Sequence, residues 1–109
     1  MRIAIIGSRN INEVNIGCYI GQCDEIVSGG AKGVDTCAAA YAKEHGIRLV
    51  EFTPQYQQYG RAAPIIRNRQ IVDYADRVLA FWDGISKGTL WVIRYAQKIG
   101  KPCQVILVR

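Results

Sequence analysis

A glycine-rich segment, Ser28-Gly29-Gly30-Ala31-Lys32-Gly33-Val34-Asp35, joins a short apolar strand to a predicted helix. The first N–H groups of such a helix have no partners within it, and the helix dipole adds positive potential there. A phosphate or carboxylate ligand would satisfy both. Glycines let the backbone approach such a ligand closely, and Lys32 adds a mobile cation. The segment is therefore predicted to be a ligand cradle, and a tight turn without a ligand is the alternative.

The acidic residue Asp35 complicates this interpretation. A carboxylate in the first turn of a helix complements the helix dipole, but it repels a nearby phosphate. Asp35 could instead hold the loop or bind a ribose hydroxyl. The spacing of the glycines matches neither the dinucleotide fingerprint nor the P-loop, so it does not name a ligand.

Length and composition fit one domain over residues 1–109, half of which are hydrophobic. No apolar run is long enough for a membrane span, and the apolar N-terminus is too short for a signal peptide. We therefore expect a soluble cytoplasmic protein without a membrane partner. The four cysteines are scattered and the chain has one histidine, so neither a zinc site nor a disulfide framework is predicted. We expect the cysteines to be small core residues, and we expect no metal and no cofactor. The net charge of +5 favours an anionic partner but does not separate a nucleotide from a nucleic acid.

Strand and helix patterns alternate along the chain. Strands are predicted at 2–6, 25–28, 47–52, 77–82 and 103–108, and helices at 11–22, 31–45, 64–74 and 89–99. The segment 53–63 is predicted to be a long loop, of a kind that is frequently functional. The alternation predicts an α/β, Rossmann-like domain with a doubly wound parallel five-stranded sheet, strand order 3-2-1-4-5 and helices on both faces.

In such a sheet the ligand lies beyond the carboxyl ends of the strands, where the strand order reverses. The loops at that edge are 7–10, 28–35, 53–63 and 83–89. Arginines, lysines and hydroxyls suited to a phosphate are expected there: Arg9, Lys32, Arg61, Arg67 and Lys87, with Ser8, Ser28, Ser86 and Thr89. Asp83 could accept a hydrogen bond from a ribose hydroxyl or a base, while Ser86 or Thr89 could cap the fourth helix.

Four motifs together resemble the SLOG superfamily of Rossmann-like domains, above all its small stand-alone, YspA-like group. They are Gly7-Ser8-Arg9, the glycine-rich segment 28–35, Arg67-Asn68 followed by Ala75-Asp76, and Asp83-Gly84-Ile85-Ser86-Lys87-Gly88-Thr89. The likeness covers nearly the whole chain and implies binding of a nucleotide or nucleotide derivative, with a sensor as one such role. The predicted ligand-binding residues are Gly7, Ser8, Arg9, Ser28, Gly29, Gly30, Lys32, Gly33, Asp35, Arg67, Asn68, Asp83, Ser86, Gly88 and Thr89.

Related SLOG groups supply two alternatives. The fourth motif is similar to that of the Lonely Guy phosphoribohydrolases, in which a glutamate thought to assist N-glycosidic cleavage follows Gly-Thr. Gly88-Thr89 matches that pair and Arg67 matches an arginine of the family, but the glutamate position is Val92, which cannot transfer a proton. An enzyme therefore ranks second, with no catalytic residue assigned, although Asp35, Asp83 or Glu13 could substitute for the glutamate. The glycine-rich segment is also similar to that of DNA-processing recombination mediators, so single-stranded nucleic-acid binding, with Tyr56 and Tyr59 stacking on bases, ranks third.

The fourth predicted helix is apolar on more than one face, because Trp91-Val92-Ile93 and Tyr95 lie on it. This pattern, and the dimers common in the similar family, predict a homodimer. We also expect Arg67→Ala and Gly30→Val to abolish nucleotide binding and to leave the fold intact.

Overall fold

The chain alternates strands and helices, and the computed structural model describes residues 1–108. The strands are β1 Arg2–Gly7, β2 Glu25–Ser28, β3 Arg48–Glu51, β4 Arg77–Trp82 and β5 Cys103–Leu107, and the helices are α1 Val34–Glu44, α2 Tyr56–Tyr59, α3 Ala63–Tyr74 and α4 Lys87–Lys98. Short 3-10 turns lie at Ile16–Cys18 and Gly60–Ala62. All five strands are parallel in one sheet, in the order β3-β2-β1-β4-β5. The predicted fold class and strand order are confirmed.

Alternate side chains of the central strands form two core layers, because successive residues of a strand point to opposite faces. Ile3 and Ile5 face α1, which packs on one side of the sheet. Ala4 and Ile6 face α3 and α4 on the other side. Both faces are covered by helices, which explains why these strands are apolar along their whole length.

The predicted helix over 11–22 is wrong, since only Ile16–Cys18 forms a helical turn there. The buried residues of this segment are Ile11, Ile16 and Ile20. Their spacing differs from the helical spacing that the sequence indicated, and Cys18 is exposed. Glycine costs about 1 kcal/mol relative to alanine within a helix, and the segment contains two of them. Packing of the three isoleucines against the sheet therefore determines its path.

Other helix boundaries differ by a few residues for identifiable reasons. Helix α1 begins at Val34 rather than at residue 31, because the preceding Gly33 has a φ of 76°. Helix α4 begins at Lys87, directly after its N-cap residue Ser86. The segment 53–63 contains α2 and a 3-10 turn, so the prediction of a loop without helical structure is wrong.

The apolar surface of α4 is largely buried within the chain. Val92, Ile93 and Ala96 lie in the core layer beneath the helix. Trp91 stacks on Tyr95 with ring centroids 5.2 Å apart, and the Tyr95 hydroxyl donates to Asp73 of α3 at 2.7 Å. These contacts account for the apolar character of α4 without a partner chain. The homodimer stays a prediction, for which light scattering would give the mass.

The cysteines are all free thiols in the structure. Cys23, Cys37 and Cys103 are half-buried beside the core layers, whereas Cys18 is exposed, so the prediction of a core position is wrong for Cys18. Across residues 1–108 no three histidine, cysteine or acidic side chains are grouped so as to hold a metal ion. Over the same range no helix has both the length and the apolar character needed to cross a membrane.

Candidate functional site

A cavity of about 440 Å³ opens between the carboxyl ends of β1 and β4. Its volume lies within the range of about 300–1000 Å³ that is typical of small-molecule sites. The strand order reverses at this point, which is where a doubly wound sheet places its ligand. Most of the predicted ligand-binding residues line it: Gly7, Ser8, Arg9, Gly29, Asp35, Arg67, Asn68, Asp83, Ser86, Gly88 and Thr89.

Four of the predicted residues, all in the glycine-rich turn, do not line the cavity. Ser28 is fully buried, and its Oγ accepts a hydrogen bond from the N–H of Gly30 at 3.4 Å. Gly30, with a φ of 69°, faces the side chain of Glu51, and Lys32 is exposed. Gly33 is the fourth. The exposed cations Arg61 and Lys87 also lie outside the lining. The turn therefore contributes to the cavity mainly through Gly29, Ala31 and Asp35.

Gly33 packs against the loop that follows β1. A Cβ atom on Gly33 would lie 2.5 Å from the carbonyl oxygen of Arg9 and 2.7 Å from that of Ser8. Real Cβ atoms do not approach backbone oxygens so closely, so only glycine fits this contact. Gly33 thus seats the loop carrying Ser8 and Arg9 on the start of α1, and its role is structural.

Arg67 is the buried cation of the cavity, with 8% of its surface exposed. Its Nη1 donates to the carbonyl oxygen of Gly29 at 2.9 Å, and its Nε donates to Oδ1 of Asn68 at 2.9 Å. Burial lowers the pKa of Arg67, an effect that the carboxylate of Asp35 opposes. Among residues 1–108, Nη2 of Arg67 has no hydrogen-bond partner. Every fully buried side-chain nitrogen or oxygen of these residues has such a partner, so Nη2 is not fully buried and is accessible from the cavity. The guanidinium can therefore donate further hydrogen bonds into the cavity.

Asp35 is buried in the first turn of α1. Its Oδ2 accepts a hydrogen bond from the N–H of Ala31 at 3.0 Å, so the carboxylate holds the glycine-rich turn. Burial raises the pKa of Asp35, while the Ala31 hydrogen bond and the charge of Arg67 oppose that rise. Of the two roles that the sequence left open, the structure shows the loop-holding one. Binding of a ribose hydroxyl stays a prediction.

Asp35→Asn is expected to increase the free energy of unfolding at pH 7. The pKa of Asp35 is higher in the folded state than its ordinary value of 3.8, so folding disfavours the charged form. Its contribution to stability falls as pH rises from 3.8 through the folded-state pKa, and the amide, which can still accept from Ala31, avoids that loss. Urea unfolding of both proteins from pH 3 to pH 8 would measure the difference. A stability difference that does not grow with pH would contradict this assignment.

Asp83 organises the loop between β4 and α4. Its Oδ1 accepts hydrogen bonds from the N–H groups of Ile85 and Ser86, both at 2.8 Å, and its own N–H donates to Oγ of Ser8 at 3.2 Å. The two backbone hydrogen bonds lower the pKa of Asp83. Asp83 is therefore a carboxylate at neutral pH that fixes the loop, and it cannot supply a proton there.

The amino end of α4 faces the cavity through Gly88 and Thr89. Ser86 caps this helix, since its Oγ accepts from the N–H of Thr89 at 3.3 Å, as the capping alternative predicted. The N–H of Leu90 bonds to the carbonyl oxygen of Ser86 at 3.2 Å. Within the described part of the chain, the N–H groups of Lys87 and Gly88 have no such partner. This end of α4 can therefore bind an anion, aided by the helix dipole.

The cavity also has an apolar wall that the sequence analysis did not include. Ile6, Ile71 and Val92 line it, together with Ala31, Pro64 and the polar Asn10. Helical spacing could have identified two of them, because residues three or four apart share a face. Ile71 follows Arg67 by four positions on α3, and Val92 follows Thr89 by three on α4.

The YspA, cpYpsA-related SLOG family matches the chain over residues 22–59. The match supports SLOG membership. The matched range runs from the segment before β2 to the end of α2 and includes Gly29, Ala31 and Asp35 of the cavity lining. The match bears out the resemblance at the glycine-rich segment 28–35. The motifs at 7–9, 67–76 and 83–89 lie outside the matched range, so the roles of Arg67 and α4 rest on geometry alone. No curated protein and no solved structure matched the chain.

Proposed function

We propose that this SLOG domain binds a nucleotide or nucleotide derivative at the carboxyl edge of the sheet and acts as a cytoplasmic sensor. One observation carries the proposal: the buried Arg67 and the amino end of α4 border the same cavity. SLOG membership favours a nucleotide-related ligand. Four free thiols are compatible with a reducing compartment.

Arg67 and the amino end of α4 would hold the phosphate. An arginine grips phosphate with a planar set of donors, and the N–H groups of Lys87 and Gly88 add further donors at the end of the helix dipole. The apolar side chains of Ile6, Ile71 and Val92 would contact the uncharged part of the ligand. Asp35 would accept from a ribose hydroxyl. A phosphate joined to a sugar and a heterocycle satisfies all of these groups.

A phosphoribohydrolase-like enzyme is the second candidate, and one observation favours it. Val92, which stands at the glutamate position of the Lonely Guy signature, lines the cavity. The residue that corresponds to the glutamate of that signature therefore does lie at the cavity, although valine has no proton to transfer. Asp83 is held as a carboxylate and Glu13 lies outside the cavity lining. Asp35, whose pKa is raised by burial, would be the proton donor of such an enzyme.

A thermal-shift screen tests the proposal. Nucleoside monophosphates, nicotinamide dinucleotides and ADP-ribose are added to the whole chain, and each mixture is afterwards analysed for released base. A ligand at 100 times its Kd stabilises the folded state by about 2.7 kcal/mol, which raises the melting temperature by about 10 °C. We expect a shift without hydrolysis. Adenosine and inorganic phosphate, each carrying half of the ligand, are the controls.

Three other outcomes have distinct meanings. A shift accompanied by base release would replace the binding domain with the enzyme. A shift caused only by single-stranded oligonucleotides, and lost steeply as salt increases, would favour nucleic-acid binding. The absence of a shift with every nucleotide would contradict the proposal and leave the cavity without a nucleotide ligand.

A further inference from the structure

A small helical segment stands beside the cavity, and the proposed function gives it no role. It consists of α2 and the following 3-10 turn, residues 56–62, and is called the flap below. None of its residues is buried. Tyr56, at its start, exposes 59% of its surface, and Tyr59, at the same helix face, exposes 36%. The flap therefore presents aromatic rings that the core does not use.

One end of the flap adjoins the cavity, and the other adjoins the glycine-rich turn. Pro64, two residues beyond the flap, lines the cavity. Thr53, three residues before it, lies against Gly30, with its Cγ2 3.7 Å from the position of a Cβ there. Helix α2 contacts α3, the helix that carries Arg67. The flap therefore stands at the rim on the side of α3, and Tyr56 lies outside the lining of the cavity.

The flap also has a joint at which it can move. Gly60 ends α2 with a φ of 57°. Apart from its chain neighbours and the backbone of its own helical turn, no atom of residues 1–108 lies within 4 Å of the position that a Cβ would take. No side chain caps the start of α2. Few buried contacts and an unobstructed glycine are typical of segments that move when a ligand binds.

We propose that the flap closes over the cavity when a nucleotide binds, and that the ring of Tyr56 stacks on the base. The proposal rests on the proposed function for the identity of the ligand. With the phosphate held by Arg67 and α4 and the sugar against the apolar wall of Ile6, Ile71 and Val92, the base extends toward the rim. A tyrosine ring provides a flat apolar surface for any base, so Tyr56 adds affinity for the base with little preference between bases.

Affinity measurements on three variants test the stacking. The probes are the nucleoside monophosphate with the largest thermal shift and ribose 5-phosphate, which has the same sugar and phosphate without a base. Tyr56→Ala is expected to weaken nucleotide binding about tenfold and to leave the binding of ribose 5-phosphate unchanged. Tyr56→Phe, which keeps the ring, should bind like the wild type. Gln57→Ala, an exposed neighbour in α2, is the matched control.

Trypsin cleavage after Arg61 tests the closure, because Arg61 lies exposed within the flap. Saturating nucleotide should slow this cleavage in the wild type much more than in Tyr56→Ala. Cleavage after Lys98, an exposed site outside the flap, reports the general stabilisation of the fold. Equal protection at both sites would show that the flap does not close.

The two proposals fail in different ways. If the wild type binds the nucleotide and Tyr56→Ala binds it equally well, the flap proposal is overturned and the proposed function stands. The same holds if Tyr56→Ala weakens the nucleotide and ribose 5-phosphate equally, because the base would then not be the contact. If the wild type binds no nucleotide, the proposed function fails and the flap proposal fails with it.

Discussion

Replacing Arg67 by alanine is expected to raise the Kd of the nucleotide by about 100-fold, equivalent to about 2.7 kcal/mol. The side chain is buried, and two of its nitrogens are already bonded to Gly29 and Asn68, so the remaining donors have a fixed direction. A fixed, desolvated guanidinium gives a phosphate oxygen a stronger partner than an exposed lysine does. Isothermal titration calorimetry of the variant would measure the loss.

Arg69→Ala is the matched control for this experiment. Arg69 lies on the same helix but is exposed, and its guanidinium lies over the ring of Tyr95 at 5.7 Å from the centroid. Its loss should leave the Kd unchanged. Arg67→Lys, which keeps the charge without the planar fork, should fall between the wild type and Arg67→Ala. Wild-type affinity in Arg67→Ala, or equal losses in both alanine variants, would contradict the assignment of the site.

The fold of Arg67→Ala must be checked separately, because the side chain also supports the glycine-rich turn. Removing it breaks the hydrogen bond to Gly29 but also removes a buried charge, so the two effects partly offset each other. Gly29→Ala provides a second test. A Cβ on Gly29 would lie 2.6 Å from Nη1 of Arg67, which forces the guanidinium out of its place without removing it. This variant should also lose nucleotide affinity.

The sheet and the position of the cavity were predictable from sequence because both depend on patterns that span whole elements. Strands buried on both faces are continuous apolar runs, such as Ile3-Ala4-Ile5-Ile6, and they alternate with helices. The alternation predicts a parallel sheet, and the strand order then locates the cavity. The strand order places the loops that carry Ser8 and Asp83 side by side, although they are far apart in the sequence. In the structure a hydrogen bond of 3.2 Å joins these two residues.

The direction of individual residues in the turns was not predictable, because a turn has no periodicity. Gly29 lines the cavity, while the adjacent Gly30 faces Glu51. A substitution that tests nucleotide binding therefore belongs at Gly29 rather than at Gly30, where the sequence indicated it. The role of Asp35 depends on a hydrogen bond to Ala31 and on burial, neither of which composition specifies. The helix predicted over 11–22 was wrong for a related reason, because the path of this segment depends on the packing of Ile11 and Ile16 against the sheet.

Gly33→Ala is expected to destabilise the fold by about 3 kcal/mol, and Gly46→Ala by about 1 kcal/mol. Both glycines have positive φ, 76° and 65°, so a side chain costs each of them about 1–3 kcal/mol in backbone strain. A Cβ on Gly33 also meets the carbonyl oxygens of Arg9 and Ser8, which adds an overpacking cost of about 1–3 kcal/mol. At Gly46, apart from its chain neighbours, no atom of residues 1–108 lies within 4 Å of the position that a Cβ would take.

Urea unfolding of the two variants compares a glycine that meets the loop after β1 with one that has open space around it. Part of any excess loss in Gly33→Ala comes from its backbone, whose ψ of −123° lies outside the left-handed region, and the rest measures how firmly the loop after β1 is seated on the start of α1. Because Ser8 and Arg9 of that loop line the cavity, a large excess means that the glycine fixes this wall before any ligand arrives. Equal losses would mean that the loop yields to a methyl group, and this wall of the cavity would then have to be ordered by the ligand.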